Sequence, residues 1–283
     1  MKRVLLITFF LFALPVTNLL ADTQCNGEYG EGPNKFSLAT GSPGELNLLK
    51  ALAEAFSAKN KAVLCWVKAG SGESLKLLKD KRVDMIMVHA PDAEKKAVQE
   101  GWAVNRILIG SNEFYIVGPP EDPAKIAEAT SANDVFSRIE KGGSTFFSRG
   151  DNSGTHQKEM SVWANVQIKP EGNWYVVTKD FMKATLKKAN DAKGYFMVDS
   201  STWVAENKNL PNLKILFRGD KYLVNTYHTL SQPVSATPGA RIASEFIEFV
   251  ASKQGQDIIR NYGKDKFGEA LYSDADYAKK YDD

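Results

Sequence analysis

Short apolar runs alternate with segments of helical period along this chain, and the alternation occurs twice. Residues 36–39 read as a strand. Leu49, Leu52, Ala53 and Phe56 then fall on one helical face. Residues 62–67 read as the next strand, 74–79 as a helix, 84–88 as a buried strand and 93–100 as a helix. The second half follows the same grammar, with a strand over 145–147, helices over 155–165 and 185–189, and a strand over 194–198. Strands that alternate with helices imply an α/β fold, a parallel sheet with helices covering it. The chain turns extended again over 222–230. It closes with a helix bearing Ile242, Phe246, Phe249 and Val250 on one face, then another over 254–262.

Two extended segments, around 111–117 and 225–230, read as crossings between lobes. Two crossings make the middle of the chain an inserted lobe. The expected division is a first lobe from 22–114 and 229–283, and a second lobe over 115–228. A cleft between two lobes is where small ligands usually sit.

The loops at strand-to-helix junctions carry the chemistry. Ala39-Thr40-Gly41-Ser42-Pro43-Gly44 follows the first strand, and Ala69-Gly70-Ser71-Gly72-Glu73-Ser74 follows the second. Ser148-Arg149-Gly150-Asp151-Asn152-Ser153-Gly154-Thr155 follows a strand of the other lobe. Such junctions are anion sites in open α/β sheets. Backbone N–H groups of a helix start point at the anion, and the helix dipole adds roughly half a positive charge. Hydroxyls donate further bonds, and an arginine supplies full charge in a bidentate fork. The bland reading of any one loop is a helix cap of Ser or Thr. Three such loops, one with an arginine, favour an oxyanion.

Lys2 and Arg3 precede an apolar run over 4–16, and Leu19-Leu20-Ala21 offers a small residue for cleavage. Residues 1–21 therefore read as a secretory signal peptide. The run is shorter than the roughly 20 residues a membrane span needs, so a soluble exported protein is expected. Lys2 and Arg3 account for two of the 36 basic residues, and the remainder matches the 34 acidic ones. A formally neutral mature chain argues against nucleic acid as a partner. Cys25 and Cys65 are the only cysteines. In an oxidising compartment they are expected to pair; otherwise Cys65 is an unrelated buried strand residue.

Other function classes fit less well. Asp151, Ser153 and His156 are the residue types of a hydrolase, but they lie too close in one turn to adopt triad geometry among themselves. His89, His156 and His228 show no zinc-type spacing. Arg149-Gly150-Asp151 sits where a helix begins, unlike an extended adhesion loop.

The run from Ser148 to His156, with Glu159 and Trp163 after it, resembles the signature of periplasmic tungstate-binding proteins of ABC importers. Val88-His89-Ala90-Pro91, Ile116-Val117-Gly118-Pro119, Gly172-Asn173-Trp174-Tyr175 and Asn225-Thr226-Tyr227 fit the same pattern. The resemblance implies a two-lobed periplasmic-binding-protein fold of type II, each lobe a sheet flanked by helices, closing on a tetrahedral oxyanion. It implies Thr40, Ser42, Ser71, Ser148, Arg149, Ser153, Gly154 and Thr155 as ligand-binding residues. The cargo would be tungstate or molybdate, with no cofactor, no metal site and no catalysis. The partner would be an ABC permease at the inner membrane, and the protein a periplasmic monomer. The first loop departs from the family's run of threonines, which leaves fewer hydroxyls there. The third loop also resembles the pattern of phosphate-binding proteins. Phosphate at neutral pH carries a proton and needs an acceptor, for which Asp151 is the candidate; tungstate and molybdate want donors only. Phosphate or another oxyanion therefore stands as the alternative, and an exported hydrolase as a remote one.

Overall fold

The computed structural model of the protein describes residues 24–282. The leader expected over 1–21 lies outside the described residues. The strands are β1 (Gly27–Gly30), β2 (Asn34–Thr40), β3 (Ala62–Lys68), β4 (Met85–Val88), β5 (Val104–Gly118), β6 (Phe146–Ser148), β7 (Tyr175–Val177), β8 (Tyr195–Asp199), β9 (Lys214–Phe217), β10 (Val224–Ser231) and β11 (Ser273–Asp274). They follow the order β1-β3-β2-β4-β10-β5-β8-β6-β7, with β9 and β11 also on β5.

β5 joins the two lobes. From Val104 to Glu113 it pairs with β10, and from Phe114 onward it pairs with β8 and β9. The first crossing thus falls within one strand, between Glu113 and Phe114. The return crossing comes earlier than expected. All of β10 lies in the first lobe, antiparallel to β4 and β5, so the second lobe ends before Val224 rather than at 228. The expectation of a parallel sheet also needs correction. β2, β3 and β4 run parallel, as do β6, β7 and β8. β1, β5, β9 and β10 meet their neighbours antiparallel. The crossing strands enforce this, because a chain that leaves a lobe and returns through a paired strand reverses direction.

Each lobe has a core on both faces of its sheet. In β4, Met85 and Met87 enter one core while Ile86 and Val88 enter the other. In β8, Tyr195 and Met197 face one side, and Phe196 and Val198 the other. Successive strand side chains point to opposite faces, so a strand covered on both sides reads as a continuous apolar run. Helices supply the cover. Leu49, Leu52 and Phe56 of helix Leu48–Asn60 pack with Phe246 and Val250 of helix Ala240–Ala251. The first lobe is thereby closed by the chain's C-terminal part.

Cys25 and Cys65 form a disulfide across 40 residues of sequence. It fastens the start of β1 to β3. Loop-closure entropy assigns such a crosslink about 4 kcal/mol. No helix among the described residues is long and apolar enough to cross a membrane.

Candidate functional site

The parallel strands of the two lobes aim their C-terminal ends at each other, and a helix starts after each. Helix Ser71–Lys79 follows β3, and its N-cap Gly70 is extended and offers no side-chain cap. Helix Gly154–Asn165 follows β6 and is capped by Ser153, whose Oγ accepts from the His156 N–H. The lobes touch through these starts. A Cβ on Gly72 would lie 2.5 Å from the Asn152 carbonyl oxygen of the opposite lobe. A Cβ on Gly154 would lie 2.5 Å from the His89 ring and carbonyl oxygen. Contacts under 3.0 Å leave no room for any side chain at either position. The Gly-rich loops are therefore how two backbones approach across the cleft.

The turn over 149–153 is built by Gly150 and Asn152 in left-handed conformations, φ +60° and 57°. It folds Asp151 back on Arg149. Asp151 Oδ2 accepts from Arg149 Nε at 3.1 Å and Nη2 at 2.6 Å, and Oδ1 accepts from the Ser153 N–H at 3.1 Å. Asp151 is thus occupied, and Arg149, only 5 % exposed, keeps the rest of its fork. His156 Nδ1 accepts from the Asn152 N–H. Ser153, His156 and Asp151 each hold the turn.

Two hydroxyls stand out. Thr40 Oγ1, at the end of β2, and Thr155 Oγ1, in the first turn of helix Gly154–Asn165, are buried with no hydrogen-bond partner. A buried polar group without a partner costs on the order of 1–3 kcal/mol; the Ser111 and Tyr272 hydroxyls share this state, but Thr40 and Thr155 lie where strand ends meet helix starts. One belongs to each lobe. Ser71, at the start of helix Ser71–Lys79, is also buried, and its Oγ accepts from the His89 N–H at 3.2 Å.

Ser42 and Ser148 are engaged elsewhere. Ser148 Oγ donates to Glu159 Oε2 at 2.7 Å, beneath the turn. Glu159 also accepts from Trp163 Nε1 and Tyr175 Oη, and burial pushes its carboxyl up to about 7. Ser42 Oγ donates across the cleft to Asp199 Oδ2 at 3.3 Å.

Asp199, at the end of β8, is one of several residues whose part sequence reading missed. It also accepts from Ser201 Oγ, Thr202 N–H and Thr202 Oγ1, and from Asn112 Nδ2. Asn112 in turn accepts from Asn225 Nδ2 at 2.7 Å, and Asn225 Oδ1 meets His89 Nδ1 at 2.8 Å. This ladder runs through β10 and β5, from the first lobe to Asp199 of the second. Burial first and the Arg149 charge second push His89 down to about 4. Its ring is therefore neutral, and Nδ1–H donates to Asn225. The one available signal was Asp199-Ser200-Ser201-Thr202, a helix cap at a strand end. A cavity of about 300 Å³ opens beside the ladder, lined in part by His89, Lys95, Gly154, Lys158 and Asn225. No group of three His, Cys, Asp or Glu side chains suited to a metal occurs among the described residues.

Comparison with known proteins agrees with this geometry. Residues 27–254 match the model of the PBP superfamily domain. The chain belongs to the PBP superfamily. Within this superfamily it is 32 % identical to the tungstate-binding protein TupA of Peptoclostridium acidaminophilum, over 96 % of this chain and 98 % of that one. It is 34 % identical to a putative ABC transporter anion-binding protein of Haloferax volcanii, covering 84 % of this chain and 75 % of the relative. The solved tungstate ABC transporter structure from Geobacter sulfurreducens is 34 % identical, with a TM-score of 0.74, covering 82 % of this chain and all of that one. This PBP member therefore has the two-lobed type II fold and is a solute-binding protein by family.

Proposed function

We propose that the protein captures tungstate or molybdate between its lobes and delivers it to an ABC permease at the inner membrane. The observation that carries this reading is that Thr40 in the first lobe and Thr155 in the second, each in a strand-to-helix loop region, hold buried hydroxyls without a partner. A bound tetrahedral oxyanion bridges them and so favours the closed arrangement by its differential contacts. Ser71, Ser153 and the N–H groups at Gly154 complete the donor set. Ser42 and Ser148 act indirectly, through Asp199 and Glu159.

The carboxylates support a fully deprotonated cargo. Asp151 is taken by Arg149 and the turn. Asp199 is taken by its hydroxyl, amide and backbone donors. Neither offers the acceptor that a protonated phosphate needs. The anion is cargo, so the protein works without a cofactor and without catalysis, as a periplasmic monomer.

A calorimetric and thermal-shift panel of tungstate, molybdate, sulfate, phosphate and chromate tests this. Stabilisation follows RT ln(1 + [L]/Kd), roughly 2.7 kcal/mol at a hundredfold excess over Kd. Tungstate and molybdate are expected to stabilise strongly. Stabilisation by phosphate alone would replace this reading with a phosphate-binding one.

A further inference from the structure

Phe181 sits between two cations that come from opposite lobes. Lys68 Nζ, at the end of β3, lies 4.2 Å from the centre of its ring. Arg149 Cζ lies 5.6 Å from the same centre. Each cation has its own carboxylate: Lys68 pairs with Glu45 at 2.7 Å, and Arg149 with Asp151 at 2.6 Å. The loop bearing Phe181 is fixed to the arginine turn by backbone bonds. Thr178 N–H donates to the Ser148 carbonyl at 2.9 Å, and Lys179 N–H to the Arg149 carbonyl at 2.8 Å. Phe181 therefore moves with the second lobe, and Lys68 with the first.

We infer that Phe181 is a positioning residue for oxyanion capture, a clasp that holds Arg149 in place and engages Lys68 when the lobes meet. The inference rests on the oxyanion reading for its ligand arm. The physical basis is cation–π attraction, which strengthens as the cations lose water. Opening the cleft separates Lys68 from the ring, while Phe181 stays against Arg149 within the second lobe. The clasp therefore acts on the closed state and on release. Association starts from the open state, where the Lys68 contact is absent.

Two measurements on the mature protein test this. Stopped-flow kinetics with tungstate give association and dissociation rates separately. Phe181→Leu is expected to raise the dissociation rate by on the order of three- to tenfold, with the association rate nearly unchanged. Phe181→Tyr, which keeps the ring face, is expected to restore it. Lys68→Met is expected to give part of the effect and to add little in the Phe181→Leu background. Single-molecule energy transfer between dyes at Lys76→Cys and Lys169→Cys, one on each lobe, reads the closed fraction with and without tungstate. Phe181→Leu is expected to lower that fraction in both conditions. Unchanged dissociation in Phe181→Leu, fully additive Lys68 and Phe181 effects, or equal closed fractions would overturn the clasp. A wild type that ignores tungstate would defeat the ligand assignment, while the anion-free closed fractions of wild type, Phe181→Leu and Phe181→Tyr still judge the clasp.

Discussion

The two sides of the cleft are built differently although both grow from strand ends. The first lobe presents neutral donors, Thr40 and Ser71, and a helix start without a side-chain cap. Its nearby cation, Lys68, is 31 % exposed and turned to Glu45. The second lobe presents a cation that is 5 % exposed and carries its own counter-ion, Asp151. On the proposed reading, one side would bind by dipoles and hydroxyls, the other by a desolvated charge held in a tight turn. On that reading, the difference teaches that a chain of nearly balanced charge, 36 basic against 34 acidic residues, can capture a dianion. Local geometry, rather than a positive surface, would then select the anion.

The largest test of this contrast removes the buried charge. Arg149→Ala is expected to cost about 2–5 kcal/mol of binding, a loss of about 30-fold to several-thousand-fold in affinity. Part of that comes from leaving Asp151 unpaired beside a dianion. Arg149→Lys should recover only a fraction, because an ammonium lacks the planar fork. Calorimetry on folded variant protein reads the result, and unchanged affinity would erase the distinction between the two sides.

The hydroxyls give a smaller effect with a telling sign. Thr40→Val and Thr155→Val each remove a buried group that has no partner in the absence of ligand. Each variant should melt higher than wild type without ligand. Each should also bind the oxyanion more weakly, because hydrogen bonds to charged groups are worth roughly 1.5–3 kcal/mol. If both sides of the cleft share the anion, the two substitutions should weaken binding alike. A loss confined to Thr155→Val would make the first lobe a lid rather than a partner.

The smallest effect is in pH, because two slopes oppose each other. His89, ordinarily near 6.5, is held down to about 4. The unfolded chain takes up this proton first, so stability falls as pH drops from about 6.5 towards 4. Glu159, ordinarily near 4.5, is held up to about 7. Here the folded state keeps the proton longer, so stability falls as pH rises from about 4.5 to 7. The wild-type melting temperature should vary little across this range. Glu159→Gln should leave a curve that rises with pH, and His89→Asn one that falls. Parallel curves for both variants would contradict the opposing assignments.

The fold was largely legible because both faces of each sheet are covered. That cover turns β3, β4 and β8 into apolar runs visible without any partner. β7 and β9 escaped reading because they are three and four residues long and only partly buried. Helix Ala132–Lys141 carried a readable signal, a Ser131 cap with Val135, Phe136 and Ile139 on one face. At the site, the arginine turn announced itself within eight residues. The family resemblance implied Ser42 and Ser148 as ligand donors. Their hydroxyls are directed by Asp199 and Glu159, the first 157 residues away in sequence. No local pattern encodes that pairing. His89 and Asn225 stood in motifs that the resemblance picked out, but their contacts, like those of Asn112 and Phe181, were hidden for the same reason, since each joins separate elements.

The place of β10 between β4 and β5 has a consequence for the order of assembly. The strands of the second lobe, from Phe114 to Phe217, form one uninterrupted stretch of chain. That lobe can complete itself as soon as it is synthesised. The first lobe starts earlier and finishes later. Its sheet stays split beside β4 until Val224–Ser231 arrives, and its core stays open until helix Ala240–Ala251 docks. Contacts so distant in sequence form slowly. The Cys25–Cys65 bond needs only the first 65 residues. It can fasten β1 over the edge of β3 during that wait, when an unpaired strand edge is most prone to join another chain.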